Sequence, residues 1–124
     1  MDPVADMLTI IKNGYMVNKS DVSIIYSKYK FEIAKVLESD NRVEKVQKVD
    51  NKIQIKLAYK DQKPRLKTIK QVSKSGLRVY HKSKKLKSLK SGRGTILIST
   101  SKGVMTAMEA KKKNLGGEVI CQIW

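Results

Sequence analysis

Between Asp61 and Glu109 this 124-residue chain carries no acidic side chain, while 13 lysines and arginines fall in the same stretch. Charge of one sign repels itself, so a compact fold must keep those cations at its surface or hand them to an external anion. The core of this half is therefore confined to the apolar residues between the cations, and these alternate with polar ones. Leu66 to Val72 and Leu77-Arg78-Val79-Tyr80 have the period of two that marks half-buried strands, joined through Ser75-Gly76. The formal net charge of +16 is distributed to match: residues 1–60 hold 11 basic and 8 acidic side chains, residues 61–124 hold 16 and 3. A field this lopsided fits a polyanionic partner that releases condensed counterions on association, and nucleic acid leads on this ground.

Several function classes fall away. Cys121 is the only cysteine and His81 the only histidine, so no intramolecular disulfide and no Cys/His metal set is expected. Cys121 sits in an apolar run and reads as a buried, inert thiol. No paired carboxylates, nucleophile–base pair or phosphate-binding glycine loop stands at credible spacing, so neither an enzyme nor a cofactor is expected. The start Met1-Asp2-Pro3 carries no basic region followed by an apolar run, so no leader is expected, and no segment is long and apolar enough to span a bilayer. The charged half also lacks the basic amphipathic helix of a peripheral membrane protein. The expectation is a cytoplasmic protein with no membrane and no small-molecule substrate.

Before residue 60 the pattern changes period. Asp2 before Pro3 suits a helix start, and Val4, Met7, Leu8, Ile11 and Tyr15 recur at helical spacing to about Val17. Asp21 to Tyr26 reads as a strand. Phe31, Ile33, Ala34, Val36 and Leu37 give a second amphipathic helix from Lys28 to about Ser39-Asp40-Asn41. Val43, Val46 and Val49, then Ile53, Ile55 and Leu57, flank Asp50-Asn51, which suits a tight hairpin. Residues 60–65 are polar, contain Pro64 and read as a loop between subdomains. Lys82 to Arg93 reads as an exposed basic connection. Ile96-Leu97-Ile98 is a short buried strand, Thr106 and Glu109 open a short helix ending near Asn114, and Glu118 to Trp124 is a closing strand. The fold expected is α+β in two small packed subdomains: an α-β-α-β-β part over 1–60, and a β-rich part with one short helix over 61–124.

The chemistry concentrates after residue 77. Ser99-Thr100-Ser101 offers three hydroxyl donors and acceptors, Lys102 adds a charge, and Gly103 permits a sharp turn. The segment is either a plain strand-to-helix turn or a grip on base edges, sugars and phosphates. Tyr80, between Arg78 and His81-Lys82, is either a half-buried core ring or one that stacks on an exposed base. Glu118 is either in a surface salt bridge with Lys111 or Lys113 or an acceptor within a nucleic-acid site. Lys28 and Lys30, beside Tyr26 and Ser27, form a smaller basic cluster that is either a solvated helix face or a second contact. Arg78, Lys82 and the lysines from Lys60 to Arg93 suit phosphate positioning.

The end block, Ser99-Thr100-Ser101-Lys102-Gly103 with Gly116-Gly117-Glu118, resembles the C-terminal signature of the bacterial small-subunit ribosomal protein S8 family. Asp2-Pro3-Val4-Ala5-Asp6-Met7-Leu8-Thr9 and Val72-Ser73-Lys74-Ser75-Gly76-Leu77-Arg78-Val79-Tyr80 are similar to two further blocks of it. Ser75 stands where that family usually has proline, Ala107-Met108 where it has an acid and a base, and Gln122 where it has tyrosine. The resemblance implies direct binding to the central domain of 16S ribosomal RNA, neighbouring small-subunit proteins as partners, and Tyr80, Glu118 and the Ser99–Gly103 loop on the RNA face. The competing expectation is a basic protein that binds nucleic acid without choosing a sequence.

Overall fold

The computed structural model describes residues 3–73, 76–81 and 94–124. The expectations placed on Asp2, Ser75, Lys82 and the 82–93 connection lie outside the described residues. The chain divides into two compact units, residues 3–68 and 69–124.

In the first unit the helical period materialises as α1 (Pro3–Met16), whose Met7, Leu8, Ile11 and Tyr15 are buried along one face. After β1 (Asp21–Ile25) comes α2 (Lys28–Ser39), capped by Ser27, whose hydroxyl accepts the Lys30 N–H at 3.2 Å. Then β2 (Val43–Val49) and β3 (Lys52–Leu57) form the hairpin expected around Asp50-Asn51. The sheet is antiparallel in the order β1-β3-β2. Val22 and Val46 both stand opposite Ile55, and Ile24 stands opposite Ile53, so one face is apolar. Against that face α1 packs on β1 and α2 on β2.

Both helices of this unit end the same way. Asn18 follows α1 and Asn41 follows α2, with φ of 56° and 60°. Lys19 N–H reaches Gly14 O and Arg42 N–H reaches Leu37 O, each at 2.9 Å, which closes the last carbonyls in a Schellman turn. Tyr15 ties three segments together: its hydroxyl donates to Arg42 O and accepts from Ala58 N–H at 3.0 Å. Tyr59 meets it edge-on with ring centroids 5.5 Å apart.

Residues 60–65 differ from the loop expected of them. Tyr59–Lys60 (β4) pairs with Lys63–Pro64 (β5), turned by Asp61 and Gln62, both at positive φ. Asp-Gln is not one of the dipeptides that announce such a turn, so polar composition masked it.

The second unit holds β6 (Ile69–Gln71), β7 (Tyr80–His81), β8 (Thr95–Thr100), β9 (Gly103–Thr106), α3 (Ala107–Lys112) and β10 (Gly117–Ile123). Its sheet runs β6-β10-β8-β9. The edge of β10 not used by β8 takes β6 at Cys121–Ile123 and β7 at Gly117–Glu118. The strand expected from Leu66 to Val72 is thus shorter, since alternation marks a face but not where pairing stops. Ile96, Ile98, Met105, Ala110 and Val119 form the apolar cluster, with Val72, Ala107 and Leu115 against it. Thr106 caps α3 by accepting the Glu109 N–H at 3.2 Å, and Asn114, at φ 55°, ends it as Asn18 and Asn41 end the others.

Candidate nucleic-acid interface

The segment Ser99–Gly103 is the end of a β-hairpin rather than an open strand-to-helix loop. Ser99 and Thr100 belong to β8, Gly103 begins β9, and Thr100 pairs with Gly103, which leaves Ser101 and Lys102 as a two-residue tip. The sequence reading missed β9 because Val104-Met105 is too short to show a period. Gly103 sits at φ 112°, where a side chain is strained. Thr100 holds the tip shut: its hydroxyl donates to Gly103 O at 2.8 Å and accepts from Lys102 N–H at 3.1 Å. Ser101 and Lys102 stand exposed beyond it.

Pairing across the strands does what sequence order does not. Tyr80, Glu118, Ser99 and Val104 are successive Cα partners from β7 through β10 and β8 to β9. Directly opposed residues share a face, and the neighbouring row, Val119-Ile98-Met105, lies in the apolar cluster on the other face. The structure therefore sets an exposed ring, a carboxylate and a hydroxyl side by side at one end of the sheet. Tyr80 is 68% exposed, which removes the reading of a half-buried core ring. Gly117 makes the row possible, because an ideal Cβ there would lie 2.0 Å from the Ser99 carbonyl oxygen.

Glu118 is held by Arg78 rather than by Lys111 or Lys113: Arg78 Nη1 lies 3.0 Å from Glu118 Oε2. The carboxylate is the more enclosed partner, its side chain 17% exposed against 51% for Arg78. A carboxylate is attracted to so basic a region, and Arg78 is the cation that holds this one. Lys102 at the tip and Lys111, Lys112 and Lys113 at the end of α3 are all exposed. Ser73, which the sequence reading passed over, is 4% exposed, and its hydroxyl accepts the Val79 N–H at 2.9 Å. A serine in a polar stretch gives no sign of such a role, since the bond depends on the chain returning six residues later.

The basic cluster of the first unit splits. Lys28 is exposed, whereas Lys30 is only 9% exposed and shares the buried face of α2 with Ile33, Ala34 and Leu37. Tyr26 is engaged locally, with Phe31 at 5.8 Å between centroids and Lys48 Nζ 4.9 Å from its ring centre. Burial pushes the Cys121 thiol up to about 12, which leaves it protonated and unreactive at neutral pH. Among the described residues no three His, Cys, Asp or Glu side chains gather to hold a metal, and no helix is long and apolar enough to cross a membrane.

Fold and site together define a small, basic α+β protein that offers an aromatic ring, a braced carboxylate and hydroxyls from the end of a sheet. Over residues 2–124 the chain matches the family described as Ribosomal protein S8. It is also 43% identical over 127 aligned positions to the "Small ribosomal subunit protein uS8" of Vesicomyosocius okutanii subsp. Calyptogena okutanii (strain HA), an alignment covering 99% of this chain and 97% of that one. The chain belongs to the ribosomal protein S8 family and is a structural ribosomal protein, not an enzyme.

Proposed function

We propose that this protein binds directly to an irregular helix in the central domain of 16S ribosomal RNA and supports assembly of the small subunit, working in the cytoplasm beside neighbouring small-subunit proteins. The observation that carries the reading is the Tyr80-Glu118-Ser99 row ending beside the Ser101-Lys102 tip. Regular RNA helices hide the major-groove edges and expose 2′-hydroxyls in a shallow groove, so a reader needs short polar groups and a ring for displaced bases. Ser99 and Ser101 suit the first task and Tyr80 the second, while Glu118, braced by Arg78, accepts from an amino or hydroxyl group. The RNA-binding part is residues 61–124. Lys102 and its companions neutralise phosphates and supply affinity without sequence choice, and Lys28 adds a lesser contact from the first unit.

The test is binding to a central-domain 16S ribosomal RNA fragment and to a scrambled duplex of equal length across a salt series. The native chain should prefer the fragment. Replacing Ser99 and Ser101 together by alanine should remove about tenfold of that preference, two hydrogen bonds at roughly 0.5–1.5 kcal/mol each, with the salt dependence unchanged. A native chain that binds both RNAs equally would establish the competing reading, a basic protein without sequence choice.

A further inference from the structure

We propose that Ser73 is a positioning residue for RNA recognition: its buried hydroxyl latches the strand that carries Tyr80 to the rest of the sheet, so that the ring is presented in register with Glu118 and Ser99. This rests on the reading of Tyr80 as an RNA contact.

Strand β7 is two residues long, Tyr80–His81, and pairs with β10 only at Glu118 and Gly117. Two pairs at a strand end are too few to hold it against fraying. What reinforces them is the residue just before, Val79, whose backbone bonds lead inward. Its carbonyl accepts the Val119 N–H at 2.8 Å. Its N–H donates to Ser73 Oγ at 2.9 Å, and the same hydroxyl lies 3.4 Å from the Val79 carbonyl, within reach to donate back. One small side chain thus clasps both backbone groups of the residue that precedes Tyr80.

Ser73 is itself anchored. Val72 N–H and Ser73 N–H both reach Ile120 O, at 3.0 and 3.4 Å, and Gln71 Nε2 donates to Ser73 O at 3.0 Å. Ile120 is the residue at which the β10–β8 register shifts, so its carbonyl is turned to this edge. The latch therefore runs from the bulge in β10 through Ser73 to Val79 and ends at Tyr80. The Val79 carbonyl already has the Val119 N–H, so what the hydroxyl alone supplies is an acceptor for the half-buried Val79 N–H. Alanine would leave that N–H unmet.

The experiment compares the full native chain, Ser73→Ala, Tyr80→Ala and the double variant for binding to the central-domain fragment and the scrambled duplex, alongside amide hydrogen exchange. Ser73→Ala should weaken fragment binding about three- to tenfold, the scale of one lost hydrogen bond, and leave duplex binding unchanged. Coupling is the decisive readout: the double variant should bind the fragment no more weakly than Tyr80→Ala alone. The Val79 amide should lose protection in Ser73→Ala while the Ile98 amide keeps its own. Losses that add in the double variant, or fragment and duplex affinities that fall together, would overturn the proposal. So would a Tyr80→Ala chain that binds as the native one does. Should Ser73→Ala fail to fold, exchange in the native chain decides: a Val79 amide protected like Ile98 is expected, and one exchanging as freely as the Lys102 amide refutes the latch. Equal binding of both RNAs by the native chain would sink the functional reading itself, an outcome distinct from a native chain that discriminates while Ser73→Ala does so equally well.

Discussion

Tyr15 shows how much one hydroxyl can join. It links the end of α1 to Arg42 beyond α2 and to Ala58 beyond β3, with the ring 4% exposed. Tyr15→Phe leaves a half-buried carbonyl and a half-buried N–H without this partner and should cost about 1–3 kcal/mol in urea unfolding. Burial also pushes the Tyr15 pKa above 10.0, an effect partly offset by the hydrogen bond from Ala58. The folded state then holds the phenol proton more tightly than the unfolded state does. That contribution to stability is complete below pH 10 and is lost as pH rises beyond it, so the native chain should lose stability there more steeply than Tyr15→Phe. The sequence marked Tyr15 as core by its helical spacing, but its two partners lie 27 and 43 residues away, where no local pattern reaches. The same limit separated Tyr80, Glu118 and Ser99, each singled out on its own chemistry, from the knowledge that they stand in one row. Lys30 shows a different limit: composition assigns a lysine to the surface, and only the phase of α2 turns it inward.

The three helices among the described residues share a terminator the sequence does not advertise. Asn18, Asn41 and Asn114 each take the left-handed conformation that usually falls to glycine, and each is followed by an N–H that returns to a carbonyl five residues back. Asparagine tolerates that region better than other side chains bearing a Cβ. Asn41→Ala and Asn114→Ala should therefore each cost about 1 kcal/mol, whereas the glycine variants should match or exceed the native chain, as thermal unfolding would show. Helices were legible because apolar residues at 3.6 spacing run for many positions, and the caps at Ser27 and Thr106 obey known preferences. Hairpins were legible only where the turn dipeptide was characteristic. Asp50-Asn51 announced β2–β3; Asp61-Gln62 and Ser101-Lys102 did not announce β4–β5 and β8–β9, although both turns formed.

Across the chain the division of charge and the division of structure run together. The unit at residues 69–124 carries 13 lysines and arginines against two acids, and the unit at 3–68 carries 14 against eight. One of the two acids in the basic unit is neutralised by Arg78 within the sheet. The polyanionic partner could be read from this imbalance before any fold was known, because electrostatic attraction depends on net charge more than on arrangement. Arrangement could not be read in that way, because the row of Tyr80, Glu118 and Ser99 arises from pairings between residues as far apart as Tyr80 and Glu118.

The place of Cys121 in this sheet turns it into a clock. β10 is the strand to which β6, β7 and β8 all bind, and Cys121 is fully buried in it opposite Leu97 and Gln71. A thiol reagent can reach that sulfur only when the strand parts from its neighbours, and the chain offers it no second cysteine. Labelling of the native protein should therefore be far slower than that of the urea-unfolded chain, and the ratio of the two rates should give the free energy of opening at the sheet's central strand. Bound RNA, by holding the closed form, should stretch the time between ticks without touching the sulfur.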